Sequence, residues 1–163
     1  MKSRTLTSCD RLDEALALAA EVDSRARLVR IFGLGLHADG RVRLSAPDDW
    51  ISRWEYAFVV GGEDEGPLRH VTVLYLFPDG PRVDPRAGNV SETEYFDDEV
   101  IEGLQDSDSL VKQFNKDFPA HPMAGGDEDV LLITMRRMLD PVALMHNSNG
   151  DTLRLNPVSL EPR

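Results

Sequence analysis

The sequence predicts an α+β fold, helices packed on antiparallel β-sheet, arranged as two loosely similar α-β-β-β halves within one domain of residues 1–163. Three observations predict it. Apolar residues recur at three- and four-residue spacing in two stretches, they alternate in strand-length stretches after each, and the order helix then three strands is met twice. The sub-halves are residues 1–88 and 89–163, alike in pattern rather than in side-chain identity. A chain of 163 residues with 41% hydrophobic residues is long enough to bury a sizeable core and too apolar to be disordered.

Across residues 10–26, Leu12, Ala15, Leu16, Ala19 and Val22 keep helical spacing with no Gly or Pro between them, and Thr7-Ser8-Cys9-Asp10 offers oxygen caps at the start. Residues 28–37 read as a strand closed by the turn Ala38-Asp39-Gly40. Residues 53–60 alternate strictly: Trp54, Tyr56, Phe58 and Val60 share one face, Glu55, Ala57 and Val59 the other, so the aromatic set is expected in the core. Residues 70–77 are apolar on both faces, a strand that something covers on each side. Pro78-Asp79-Gly80-Pro81 ends it, and the polar stretch through Asn89 reads as a long surface connection.

The second half opens on Ser91-Glu92-Thr93-Glu94, a capping-box pattern, followed by helical spacing of Val100, Ile101, Leu104, Val111, Phe114 and Phe118. Asp106-Ser107-Asp108-Ser109 breaks that run into two helices or a kink, because short hydroxyl and carboxylate side chains compete for backbone groups. Residues 130–137 read as a strand. Residues 141–147 and 152–155 read as a hairpin turning on Asn149-Gly150, with Leu144 facing Leu155 and His146 facing Leu153.

Leu12 through Ala19 followed by Ala26 through Ile31, the Ala38-Asp39-Gly40 turn, and the Trp54-Glu55-Tyr56-Ala57-Phe58 strand resemble a PepSY-like unit. Asp106-Ser107 before an apolar helix and the Asn149-Gly150-Asp151 hairpin resemble a second, more degenerate one. The resemblance implies one helix on a short antiparallel sheet per unit, and a binding or inhibitory module without catalysis. PepSY domains are mostly exported, whereas Lys2 and Arg4 are followed by no apolar segment of signal-peptide length before Cys9. The expected compartment is therefore the cytoplasm, with the periplasm as alternative where an export signal lies outside this sequence.

Eighteen Lys and Arg against 29 Asp and Glu give a net charge of −11, which disfavours nucleic acid and anionic membrane as partners, and no apolar run is long enough for insertion in a membrane. His37, His70, His121 and His146 stand apart, Cys9 is the sole cysteine, and Gly33 and Gly35 lie in a strand rather than before a helix. No catalytic residue, metal ligand or cofactor is assigned. Between Arg86 and Lys112 the charges are all acidic; Glu94, Asp97, Asp98, Glu99 and Glu102 are assigned as a docking face for a basic protein, joined by Trp50 in the polar loop after Pro47. The expectation is a non-catalytic protein-binding or regulatory module, a subunit or a homo-oligomer, using an acidic helix face or the edge and outer face of its sheet. The alternatives are an acidic immunity-type inhibitor of a basic toxin, and a small-ligand protein or enzyme with a helix–sheet pocket lined by Trp54, Tyr56 and His146.

Overall fold

The computed structural model describes residues 4–44, 52–61, 68–85, 94–119, 131–137 and 139–163. The chain runs β1 (Arg4–Leu6), α1 (Leu12–Val22), β2 (Arg27–Leu36), β3 (Val42–Leu44), β4 (Arg53–Val60), β5 (Arg69–Phe77) and β6 (Gly80–Asp84). It continues through α2 (Asp98–Gly103), α3 (Ser107–Asp117), β7 (Leu131–Arg137), β8 (Pro141–Asn147) and β9 (Thr152–Leu155). All nine described strands join one antiparallel sheet, in the order β6-β5-β4-β2-β7-β8-β9, with β3 on the end of β2 and β1 on β3.

This corrects the expected fold class. Helix makes up only about 22% of the described residues, and the structure is sheet-dominated rather than two α-β-β-β halves of helices laid on sheets. The reason lies in β2, whose two edges are both used: β4 bonds along one and β7 along the other, so the later strands extend the first sheet instead of building their own. Three further strands were not anticipated. β1 and β3 are three residues long, too short for a period to show, and β6 occupies part of what reads as a surface connection.

One face of the sheet carries the core. Ile31, Trp54, Tyr56, Phe58, Val73 and Ile133 lie under Leu12, Ala15 and Ala19 of α1 and Leu110, Val111 and Phe114 of α3, all in one buried cluster. Each such large side chain stabilises by about 2–3 kcal/mol relative to exposure. Alanines at 15 and 19 give α1 a low surface and a close seat. Gly33 has a different use from the flat bed for α1 that its spacing suggests: a Cβ there would stand 2.5 Å from the Trp54 ring, so the missing side chain is the space the indole fills. Opposite the main core, Val29, Ala57 and Val59 form a second small buried cluster beside the β-bulge between Leu28 and Arg30.

The hairpin of β8 and β9 is displaced by one residue from the expected register. Ala143 faces Leu155, Leu144 faces Arg154, Met145 faces Leu153 and His146 faces Thr152. Asn147 causes the shift: its Oδ1 accepts from the backbone N–H of Asn149 (3.1 Å) and of Asp151 (2.9 Å), closing a three-residue loop that ends on Gly150 at φ +85°. A one-residue slip exchanges the faces, so Leu144 and His146 point away from the core while Ala143, Met145 and Leu155 enter it.

Candidate functional site

The densest polar cluster sits where the starts of α1 and α3 meet. Asp106, the N-cap of α3, accepts from Thr7 Oγ1 (2.7 Å), Ser8 Oγ (3.2 Å), the Cys9 N–H (3.0 Å) and the Ser107 N–H (2.8 Å). Ser107 Oγ donates to the Gly40 carbonyl (2.6 Å) and accepts from the Ser8 N–H (3.0 Å), while Asn115 Nδ2 donates to the Ala38 carbonyl (2.9 Å). Below them Trp54 Nε1 donates to the Leu6 carbonyl (2.9 Å) and the Tyr56 hydroxyl to the Ser8 carbonyl. One carboxylate thus serves the N-terminal segment and the α3 cap together. The hydroxyls of Thr7 and Ser8, expected to cap α1 directly, are turned to Asp106 instead; Arg11 is the N-cap of α1 and makes no side-chain cap.

The cluster ties the N-terminal segment to the start of α3. Burial, then the Asp106 carboxylate, pushes the Cys9 thiol up to about 11, the opposite of an activated nucleophile. Burial raises the Tyr56 hydroxyl, and burial followed by its bond to Glu14 (2.9 Å) raises that of Tyr75. Among the described residues no group of three or more His, Cys, Asp or Glu is placed to hold a metal ion.

The other face of the sheet is of a different character. Register places Arg154, Leu144, Thr134, Phe32, Glu55, Leu74 and Arg82 in one row across seven strands, and His146, Leu132, Leu34 and Arg53 in the next. Phe32, Leu34, Leu74, Leu76, Leu132 and Leu144 are all partly exposed there. At the centre Glu55 pairs with Arg53 Nε (2.7 Å) and Arg30 (3.8 Å), and both guanidiniums lie over the Phe32 ring, 5.6 and 5.9 Å from its centroid. The described helices all pack on the opposite face.

Of the residues assigned from sequence, Glu94, Asp97, Asp98, Glu99 and Glu102 are exposed on and before α2. Asp97 is engaged within the chain, 3.4 Å from Arg137. The pattern Ser91–Glu94 stops short of α2, which begins at Asp98 after Asp97; residues 91–93 lie outside the described residues, as do Trp50 and His121. Trp54 and Tyr56 are fully buried, and His146 lies on the far side of the sheet from them, its Nδ1 3.0 Å from Thr152 Oγ1. Sequence reasoning named the outer face of the sheet as a docking surface but assigned no residue to it. Its signal was the apolar second face of residues 70–77, but the row containing Leu144 is visible only once the hairpin register is known.

The two sheet edges differ. At β9 the chain's own end takes the place of a further strand, Leu155 bridging Pro162 and Arg163 N–H donating to the Arg154 carbonyl (3.1 Å). β6 carries Pro81, Arg82 and Asp84, residues that discourage pairing with another chain. No described helix is long and apolar enough to cross a membrane. No family model, curated protein or solved structure matches this chain.

Proposed function

We propose that this chain is a non-catalytic binding or regulatory module that engages a protein partner through the outer face of its sheet. The observation that carries the reading is the contrast between the two faces: one is filled by three helices, while on the other, beside a covered patch at Val29, Ala57, Val59 and Val142, Phe32 and rows of leucines stand partly exposed. A partner covering that surface gains apolar burial at about 25 cal/mol per Å². The non-catalytic part of the reading is supported by the use of the polar groups Ser8, Cys9, Asp106 and Ser107 in joining helix starts. A binding role is also what the resemblance to PepSY-like units implies.

Photo-crosslinking tests the reading. A benzophenone amino acid at Leu34 or Leu144 is expected to capture a partner in cells, whereas one at Leu153, on the core side of β9, captures none. Equal yields from both faces, or none from Leu34 and Leu144, would refute it. The exposed carboxylates Glu94, Asp98, Glu99 and Glu102, which form no ion pair among the described residues, favour a second reading in which a basic protein docks on α2. Crosslinks from Glu99 and Glu102 in place of Leu34 and Leu144 would select it.

A further inference from the structure

We infer that the partner on this face is a second copy of the chain, the two outer faces meeting about a two-fold axis. The inference rests on the outer-face reading and deepens it. The charges beside Phe32 and the leucines are already satisfied within the chain: Glu55 holds Arg53 at 2.7 Å and Arg30 at 3.8 Å, and Arg82 holds Asp79 at 2.9 Å. What covers them must therefore bring apolar surface rather than countercharge, and an identical face brings Phe32 and the same leucines. The long-range field agrees. On a chain of net charge −11, acidic residues crowd the helices of the other side, among them Asp13, Glu14, Asp98, Glu99 and Asp108. Two copies meeting by their outer faces hold those helices apart, whereas a helix-to-helix approach sets acid against acid.

Strand order selects the arrangement. β2 stands at the centre of the main path, with β4, β5 and β6 on one side and β7, β8 and β9 on the other. Packed sheets keep their strands within about 30° of each other. A two-fold axis parallel to the strands then lays β2 on β2, β4 on β7, β5 on β8 and β6 on β9, so Leu74 and Leu76 of each copy meet Leu144 of the other. The rims match by charge as well. Arg154 on β9 is exposed and forms no ion pair among the described residues, while the edge it meets has one more acid than base, Asp79 and Asp84 against Arg82. The other two-fold, lying across the strands, sets β9 on β9 and Arg154 against Arg154.

Repulsion between two copies of charge −11 opposes association, so the chain is free when dilute and pairs as its concentration rises. Added salt screens that repulsion and leaves the apolar contact in place, so it tightens the pair. Sedimentation velocity of the full chain from about 1 µM to about 500 µM, at about 0.05 M and about 0.5 M salt, tests this. Expected is one chain's mass when dilute and a shift toward twice that mass at the upper end, with the dimer at least about threefold tighter at the higher salt. Leu34→Glu and Leu144→Glu, at partly exposed positions, should each weaken it more than about tenfold, with circular dichroism unchanged. Arg154→Asp should weaken it about threefold, and adding Asp84→Arg should restore most of that loss, which a purely structural role of either residue does not give. Failure of the restoration overturns the meeting of β9 with β6. One chain's mass throughout, with benzophenone at Leu34 or Leu144 capturing a different protein in cells, overturns the second copy and leaves the docking face standing. One chain's mass and no capture overturns both. A dimer indifferent to Leu34→Glu and Leu144→Glu forms through another surface and overturns the inference as well.

Discussion

Replacing Asp106 by alanine removes one acceptor from four donors at once: the hydroxyls of Thr7 and Ser8 and the backbone N–H groups of Cys9 and Ser107. Loss of an N-cap alone costs about 1 kcal/mol, and each buried donor left without a partner adds roughly 1–3 kcal/mol before relaxation. Ser107 N–H keeps Ser8 Oγ as a second acceptor at 3.0 Å, so its share is small. The expected total is about 3–4 kcal/mol for Asp106→Ala and about 1–2 kcal/mol for Asp106→Asn, which keeps one oxygen. That is a large part of the roughly 5–15 kcal/mol by which a domain is stable. Urea unfolding followed by tryptophan fluorescence reads it, since Trp54 lies directly below the cluster. The midpoint should fall with the m-value unchanged, and Thr7→Val should cost less in the Asp106→Ala background than in the native chain. A loss below about 1 kcal/mol for Asp106→Ala, or strict additivity of the two changes, would refute the shared-cap reasoning.

Three further outcomes are expected. Thr72 is buried with its hydroxyl lacking a hydrogen-bond partner among the described residues, so Thr72→Val should raise stability by about 1 kcal/mol in the same assay. Gly33→Ala, which sets a Cβ against the Trp54 ring, should lower it by about 2–3 kcal/mol and shift the indole emission. Cys9, raised from 9.0 to about 11, carries about a hundredth of the ordinary thiolate fraction near neutrality, so iodoacetamide labelling of the folded chain should be slower by about that factor than after unfolding. The same shift makes the unfolded chain the first to lose this proton, so the thiol's contribution to stability is complete below pH 9 and declines as pH rises toward 11.

Much of the local structure is legible in the sequence because it rests on burial within one element. The alternation of Trp54, Tyr56 and Phe58 names the core face of β4, and Asp106 marks the break between α2 and α3 because a carboxylate there caps better than it continues a helix. The architecture is less legible because it rests on pairings between distant strands. Nothing local in β2 says that both of its edges will be used, and that choice alone makes one sheet where two halves were expected. The hairpin shows how little separates the outcomes: Asn149-Gly150 is a strong two-residue turn signal, yet the Asn147 side chain closes a three-residue loop, and every residue of β8 changes its partner. The acidic run drew attention by charge density along the chain. The partly exposed leucines of the outer face drew less because they come from β2, β5, β7 and β8, far apart in sequence and brought together only in the sheet.

The claim on which the functional reading stands is that the outer face is open to a partner, and solvent paramagnetic relaxation of leucine methyls by a soluble gadolinium chelate tests it most directly. Leu34, Leu74, Leu76, Leu132 and Leu144 should relax strongly in the free chain, while Leu28, Leu36 and Leu110 of the core remain protected. Outer-face methyls as protected as those of the core would mean that the chain already covers this surface, and would contradict the account.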